Sequence, residues 1–156
     1  MRLLIVSFLL VLVSCEEQFE PTPNPNFVYF LVEDPDHANN DSFILALEDA
    51  DEIELAREMV ADPAKRQIVL ASITRDPHIN YYRNRDLINE KDWSWHVAEF
   101  LGFYDNTIEI YDGWPLYVED NYNAWVANTK GSGKQGIIGF WSYVITEEVS
   151  PSELGL

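Results

Sequence analysis

FVYFLVEDPDHANNDSFILAL, residues 27–47, decides the fold of this chain. Residues 27–33 and 42–47 are runs of apolar, aromatic and β-branched side chains, which are typical of buried β-strands. The segment between them, residues 34–41, consists mostly of Asp, Asn and Pro, which favour turns. The sequence therefore predicts a β-hairpin around a polar turn.

Helices and further strands are predicted on the C-terminal side of this hairpin. Residues 49–61 predict a helix, because Asp49 and Glu52 have the spacing of a capping box and apolar residues recur on one face. A second helix is predicted over residues 115–127, since proline is favoured at the first helical position. The remaining predicted segments are strands at 67–74, 93–98, 106–111 and 137–146, a long polar loop at 75–92 and a flexible loop at 128–136.

Together these elements predict an α+β domain over residues 27–149. Its sheet is expected to be largely antiparallel, with about six strands and with both helices packed on one face. Residues 15–26 are acidic and rich in proline, which indicates an extended tether, and residues 150–156 are expected to form a short tail.

The N-terminus has the pattern of an export signal. Arg2 precedes an apolar stretch at residues 3–13 that is too short to span a bilayer. The stretch leads into LVSC, which ends at Cys15 and resembles the bacterial lipobox. This resemblance implies removal of residues 1–14, acylation of Cys15 and a lipid anchor in the outer membrane, on the cell surface or the periplasmic face. The alternative is an ordinary secretory signal with a chance cysteine.

The charge of the chain limits its partners. Asp and Glu number 27 against 10 Lys and Arg, which gives a formal net charge of −17. Nucleic-acid binding depends on cationic side chains that neutralise phosphates, so this composition argues against it. An anionic membrane would repel the body of the protein, leaving attachment to the lipid. Solubility explains the charge, and attraction of cations or basic partners is the functional alternative.

Four polar residues form a candidate ligand or metal site. Side chains alternate along a strand, so Ser94 and His96 share one face of the predicted strand at 93–98, away from its tryptophans. Glu109 lies on the outward face of the next predicted strand, and Asp112 follows it. If these strands are neighbours, His96, Glu109 and Asp112 can converge on a metal ion. The alternative is a structural hydrogen bond between His96 and Glu109.

The polar turn contains a weaker candidate for calcium. Asp34, Asp36, Asn40 and Asp41 supply the oxygen ligands that Ca²⁺ prefers, although the segment lacks the Gly and Glu of an EF-hand loop. A polar hairpin turn without a metal is the alternative, and the sequence favours it.

Six short motifs occur in a characteristic order. They are FILAL-x-D at 43–49, I-x-x-AR at 53–57, W-S-x-H at 93–96, I-E-x-x-D at 108–112, YVED at 117–120 and WS at 141–142. This order resembles a small secreted bacterial domain whose relatives are sometimes labelled calmodulin-binding proteins, because a similar domain opens a eukaryotic protein of that name. The resemblance spans roughly residues 28–149 and implies no established activity.

These observations favour an envelope-anchored, non-enzymatic module that binds a protein, peptide or sugar. The aromatic side chains are abundant enough for a contact surface as well as a core. A metal-dependent site, possibly hydrolytic, on His96, Glu109 and Asp112 is one alternative, and a structural envelope protein is another. The candidates for the contact surface are Tyr81, Tyr82, Trp114, Tyr122 and Trp125, although the last three also have the helical spacing of core residues.

Overall fold

The computed structural model describes residues 24–37, 40–105, 112–130, 133 and 135–156. In these residues two helices and a curled antiparallel sheet form an α+β fold, as the sequence predicts. The predicted strand at 106–111, the signal segment and most of the tether lie outside this part of the chain. The elements are β1 (Val28–Glu33), β2 (Phe43–Leu47), α1 (Ala50–Ala61), β3 (Ile68–Thr74), β4 (Arg85–Asp86), β5 (Lys91–Asp92), β6 (His96–Tyr104), α2 (Pro115–Thr129), β7 (Gly136–Ile138) and β8 (Val144–Val149).

The predicted hairpin is confirmed, and it forms the centre of the packing. β1 pairs antiparallel with β2, in a register that runs from Val28 opposite Leu47 to Val32 opposite Phe43. The four consecutive residues 29–32 are all buried. Because successive side chains point to opposite faces, both faces of β1 are covered.

The main sheet has the order β2-β1-β8-β3-β6, and β7 pairs with β3 alongside β8. Every described pairing in it is antiparallel. The ladder between β3 and β6 shifts register twice, after Leu70 and after Ser72, and the ladder between β1 and β8 shifts once, after Leu31. Such bulges bend strands and increase their twist, which accounts for the curl.

Two predicted strands differ from the observed ones. The strand predicted at 93–98 begins only at His96 and continues to Tyr104, and the two tryptophans precede it. The strand predicted at 137–146 is two strands, because a turn closed by the Tyr143 N–H and the Phe140 carbonyl separates β7 from β8. Ser142 in this turn has φ 65°, a left-handed conformation that no strand accommodates.

The two helices begin where the sequence predicts, and each packs on a different strand. The Asp49 carboxylate accepts the N–H groups of Asp51 and Glu52 at the start of α1, which packs against β8. α2 packs against β7 and runs to Thr129, two residues beyond the predicted end. Its N-cap residue Trp114 offers no side-chain bond, and a distant carboxylate caps the helix instead (see below).

The predicted tail contributes to the core. Residues Pro151–Leu154 form a 3₁₀ helix after β8, and Leu154 is fully buried among the core side chains. The fold therefore extends beyond residue 149.

Side chains of the long polar loop join the two edge strands of the sheet. The Tyr82 hydroxyl donates to the Ile44 carbonyl in β2 at 2.6 Å and accepts the Val97 N–H of β6 at 3.3 Å. Asn84 accepts the Ile44 N–H at 2.8 Å and donates to the Trp95 carbonyl at 2.9 Å. We call this line of contact between β2 and β6 the seam.

A buried carboxylate holds the loop at the end of the seam. Asp86 is fully buried and accepts five hydrogen bonds, from the N–H and hydroxyl of Ser42, the N–H of Ile88, and the N–H and amide of Asn89. Burial raises the pKa of Asp86, but the donors from Asn89 and Ser42 outweigh it and hold this pKa below its ordinary value. The predicted loop at 75–92 is thus largely ordered by side-chain bonds, and β4 and β5 form a small hairpin within it.

Tyr82→Phe tests the seam. The substitution keeps the ring but leaves the Ile44 carbonyl and the Val97 N–H without this partner, so we expect the free energy of unfolding to fall by about 2 kcal/mol. Urea denaturation measures it. Tyr104→Phe, which removes a hydroxyl from an exposed ring, is the matched control and should change stability by less than about 0.5 kcal/mol. Equal stability of both variants would contradict the role of the seam.

Candidate functional site

Two of the predicted site residues line the same cleft. This loop cleft has a volume of about 480 Å³ and is bounded by residues 81–84, 92–96 and 155–156. Its charged groups are paired internally, since Asp92 accepts two hydrogen bonds from the Arg83 guanidinium at 2.7 and 3.1 Å. Ser94 and His96 belong to its lining.

His96 is buried, so the expectation that it faces outward is wrong. Its Nε2 lies 2.7 Å from the Ile79 carbonyl, and its ring meets Tyr81 and Tyr82 edge-on. Because a carbonyl only accepts, the neutral ring carries its proton on Nε2. Burial lowers the pKa of His96, against the opposing effects of Ile79 and the Asp76 charge. The alternation pattern failed here because residues 95–98 are all buried, which covers both faces of the strand.

Ser94 is exposed and attaches α2 to the loop. Its N–H and its hydroxyl both donate to Glu119 Oε2, at 3.0 and 2.9 Å. Arg75 donates to the Glu119 carbonyl at 3.0 Å, and its guanidinium lies 4.1 Å from the centre of the Tyr122 ring. Ser94 therefore has a clear structural partner that the sequence pattern did not indicate.

The predicted metal site is only partly within the described residues. Asp112 is exposed and lies just before α2, whereas Glu109 falls outside the described residues. No group of three or more His, Cys, Asp or Glu side chains in the described residues is placed to hold a metal ion. Metal-dependent chemistry on His96, Glu109 and Asp112 stays a prediction.

Two acidic residues of the hairpin turn have structural partners. Asp34 accepts hydrogen bonds from His37 Nδ1 at 2.9 Å and from the Asn40 amide at 3.2 Å, and one from the N–H of Asp36. Asp41 meets the Lys91 ammonium at 3.2 Å and accepts the N–H of Leu116, which caps α2. These donors give the calcium hypothesis no support, and it too stays a prediction.

An exposed aromatic patch lies at the start of α2 and on the turn between β7 and β8. Trp114 and Tyr117 are in ring contact at 5.3 Å, and Tyr117 meets the buried Trp125. Trp125 also contacts Phe140, so the turn lies beside the helix. The four exposed members of this aromatic patch, with their exposed fractions, are Trp114 (49%), Leu116 (38%), Tyr117 (41%) and Trp141 (62%).

Sequence reasoning found only one member of this patch. Of the five candidate aromatics, Trp114 is exposed, Tyr82 and Trp125 are buried, and Tyr81 and Tyr122 are half-buried. Trp141 was missed because it lay inside a predicted strand, and no signal in that apolar run distinguishes a turn except its Gly and Ser.

Comparison with known proteins agrees with the motif order. A family model for the N-terminal domain of the protein BP-seventy-four, a calmodulin-binding-protein-like domain, matches residues 26–152. The chain belongs to this domain family. The match confirms the resemblance that the motifs indicate. No curated protein and no solved structure matches the chain. Across the described residues, none of the helices has the length and apolar character needed to cross a membrane.

His96→Gln tests how burial of the imidazole affects stability. Below about pH 6.5 the unfolded chain takes up a proton at His96 that the folded state resists, because its folded pKa is lowered. Wild-type stability should therefore fall as the pH drops from 7 towards 5, by up to about 1.4 kcal/mol per pH unit, and the fall should be smaller in His96→Gln. Urea denaturation across this range measures it. The exposed His78→Gln is the control, and identical pH slopes for all three proteins would contradict this reading.

Proposed function

We propose that this protein is a lipid-anchored module of the bacterial envelope that binds a partner without catalysing a reaction. The aromatic patch is the observation that carries this proposal. Burial of apolar surface stabilises a complex by about 25 cal/mol per Å², and Trp and Tyr are the residues most often found at the energetic centre of interfaces. A fold that buries most of its aromatic rings leaves these four large side chains in water.

The mounting of the patch supports a binding role. The first turn of α2 is fixed by the bond from Leu116 to Asp41 and by the bonds from Ser94 to Glu119. Gly113 allows the chain to pass close to the Trp125 ring, where an added Cβ would come within 2.6 Å. A rigid surface loses little conformational entropy when it binds, so more of the contact energy appears as affinity.

The chemistry of the surface restricts the partner. Exposed indole and phenol rings suit a protein, a peptide or a sugar. The net charge of −17 disfavours nucleic acid and favours a basic partner through long-range attraction. The non-enzymatic character of the proposal is supported by the structural hydrogen bonds of His96 and Ser94, the two described residues of the predicted site that line a cleft.

Acylation at Cys15 is the proposed mode of attachment. We expect mass spectrometry of the mature protein to find residue 15 at the N-terminus with acyl chains on its sulfur and amine. Two or more chains hold a protein stably in a bilayer, so Cys15→Ser should lose the outer-membrane fraction. Ser7→Ala, which keeps the cysteine, is the control. An intact leader or an unmodified thiol in the wild type would refute the anchor.

Removal of the patch should abolish partner binding without unfolding the protein. We expect Trp114→Ser/Trp141→Ser to weaken binding of a partner captured by cross-linking in intact cells by about 30-fold, since truncation of a hot-spot residue costs about 2 kcal/mol or more. Affinity is measured with the identified, purified partner. Leu55→Ser/Tyr104→Ser, which removes exposed apolar side chains elsewhere, is the control. Equal affinity of both double variants would refute a binding role for the patch.

A further inference from the structure

A second cleft opens where the two edges of the sheet diverge past Tyr82. This seam cleft has a volume of about 210 Å³ and lies between the end of β2, the first turn of α1 and residues 97–100 of β6. It is separate from the aromatic patch, with which it shares no lining residue.

The wall of the seam cleft is largely apolar. Phe27, Tyr82, Val97 and Phe100 belong to it. The rings of Phe27 and Tyr82 are in edge contact at 6.3 Å, and the Tyr82 hydroxyl is fixed by its two seam bonds. The wall is therefore preformed rather than mobile.

The rest of the lining is acidic and has no internal counter-charge. Glu48, Asp49, Glu52 and Glu99 all contribute to the cleft, and none of its twelve lining residues is Lys, Arg or His. No ion pair in the described residues involves any of these four carboxylates. Burial, and secondarily the charge of Asp49, raises the pKa of Glu52, as expected for a carboxylate that lacks a cation.

The loop cleft shows the opposite arrangement. There the one guanidinium and the one carboxylate, Arg83 and Asp92, are paired with each other. Other acidic side chains of the surface are paired as well, as Glu148 is with Arg57 and Glu58 with Lys65. The missing cation is thus a property of the seam cleft and is not general to the acidic surface.

We propose that the seam cleft binds one lysine or arginine side chain presented by a basic protein partner. The cleft is smaller than the 300–1,000 Å³ typical of small-molecule sites, which suits a single side chain. Long basic side chains place their methylene stem on apolar surface and keep the charged head in a polar environment. Here the stem packs on the Phe27 and Tyr82 rings, and the head meets Glu48, Glu52 and Glu99.

The net charge of the chain favours the same occupant. A body with 27 acidic and 10 basic residues attracts basic segments over a distance of about 8–10 Å at physiological ionic strength. The cleft then converts this general attraction into a specific contact, because only a long cationic side chain satisfies both the apolar wall and the carboxylates.

The test is an NMR titration of the purified full-length chain with two blocked pentapeptides, Gly-Gly-Lys-Gly-Gly and the same peptide with Nε-acetyl-lysine. We expect the lysine peptide to shift the backbone amides of residues 46–52 and 97–100. The acetylated peptide should bind about tenfold more weakly, because a bond between charged groups is worth more than one tenfold step in affinity. Equal binding of both peptides, or shifts elsewhere on the surface, would overturn the proposal.

Matched charge variants distinguish the cleft from general attraction. Glu52→Gln/Glu99→Gln should weaken the lysine peptide by about tenfold, whereas Glu54→Gln/Glu147→Gln, with the same change in charge at exposed sites outside the cleft, should stay within about twofold. Equal weakening by both pairs would overturn the proposal. Glu99→Gln alone, on β6 and away from the helix N-terminus, should weaken binding in the same direction if Glu52 proves necessary for folding. Binding to the aromatic patch is unaffected by these variants, so the two proposals fail separately.

Discussion

The hydrogen bonds that Tyr82 and Asn84 make across the seam are the constraint on which the rest of the structure depends. An edge strand presents unpaired N–H and C=O groups, which are costly when buried and invite aggregation when exposed. Here the outward groups of Ile44 in β2 bind a phenol and an amide from the loop, and the same two side chains reach Val97 and the Trp95 carbonyl. Side chains thereby protect an edge that a further strand would otherwise have to cover.

The position of the long loop follows from this closure. The indole of Trp93 donates to the Ser42 carbonyl, and Asp86 takes both polar hydrogens of Ser42, so the loop is fixed along the same edge. This brings the Ile79 carbonyl onto His96 and buries that ring. Both clefts have Tyr82 in their lining, so the side chain that joins the edges also shapes the surface on either side of it.

The acidic residues serve two different purposes in this fold. Asp86, Asp41 and Glu119 accept hydrogen bonds from backbone groups or cations and hold loops and helices together. Glu48 and Glu52 take part in no ion pair within the described part of the chain and line a cleft. A net charge of −17 alone does not separate these roles, because the formal charge of each carboxylate is the same. The distinction lies in which donors the fold brings to each one.

The sequence by itself determined the hairpin, the two helices with their starts, the α+β class and the family, because strand composition, helix capping and motif order are local properties. It did not determine the burial of His96, the turn at Ser142 or the exposure of Trp141. The tertiary structure decided these, since the bonds that close the seam join residues 38–44 positions apart and leave no periodic signal. A polar residue such as Asn84 looks like part of a solvated loop until the edge strand that it satisfies is beside it.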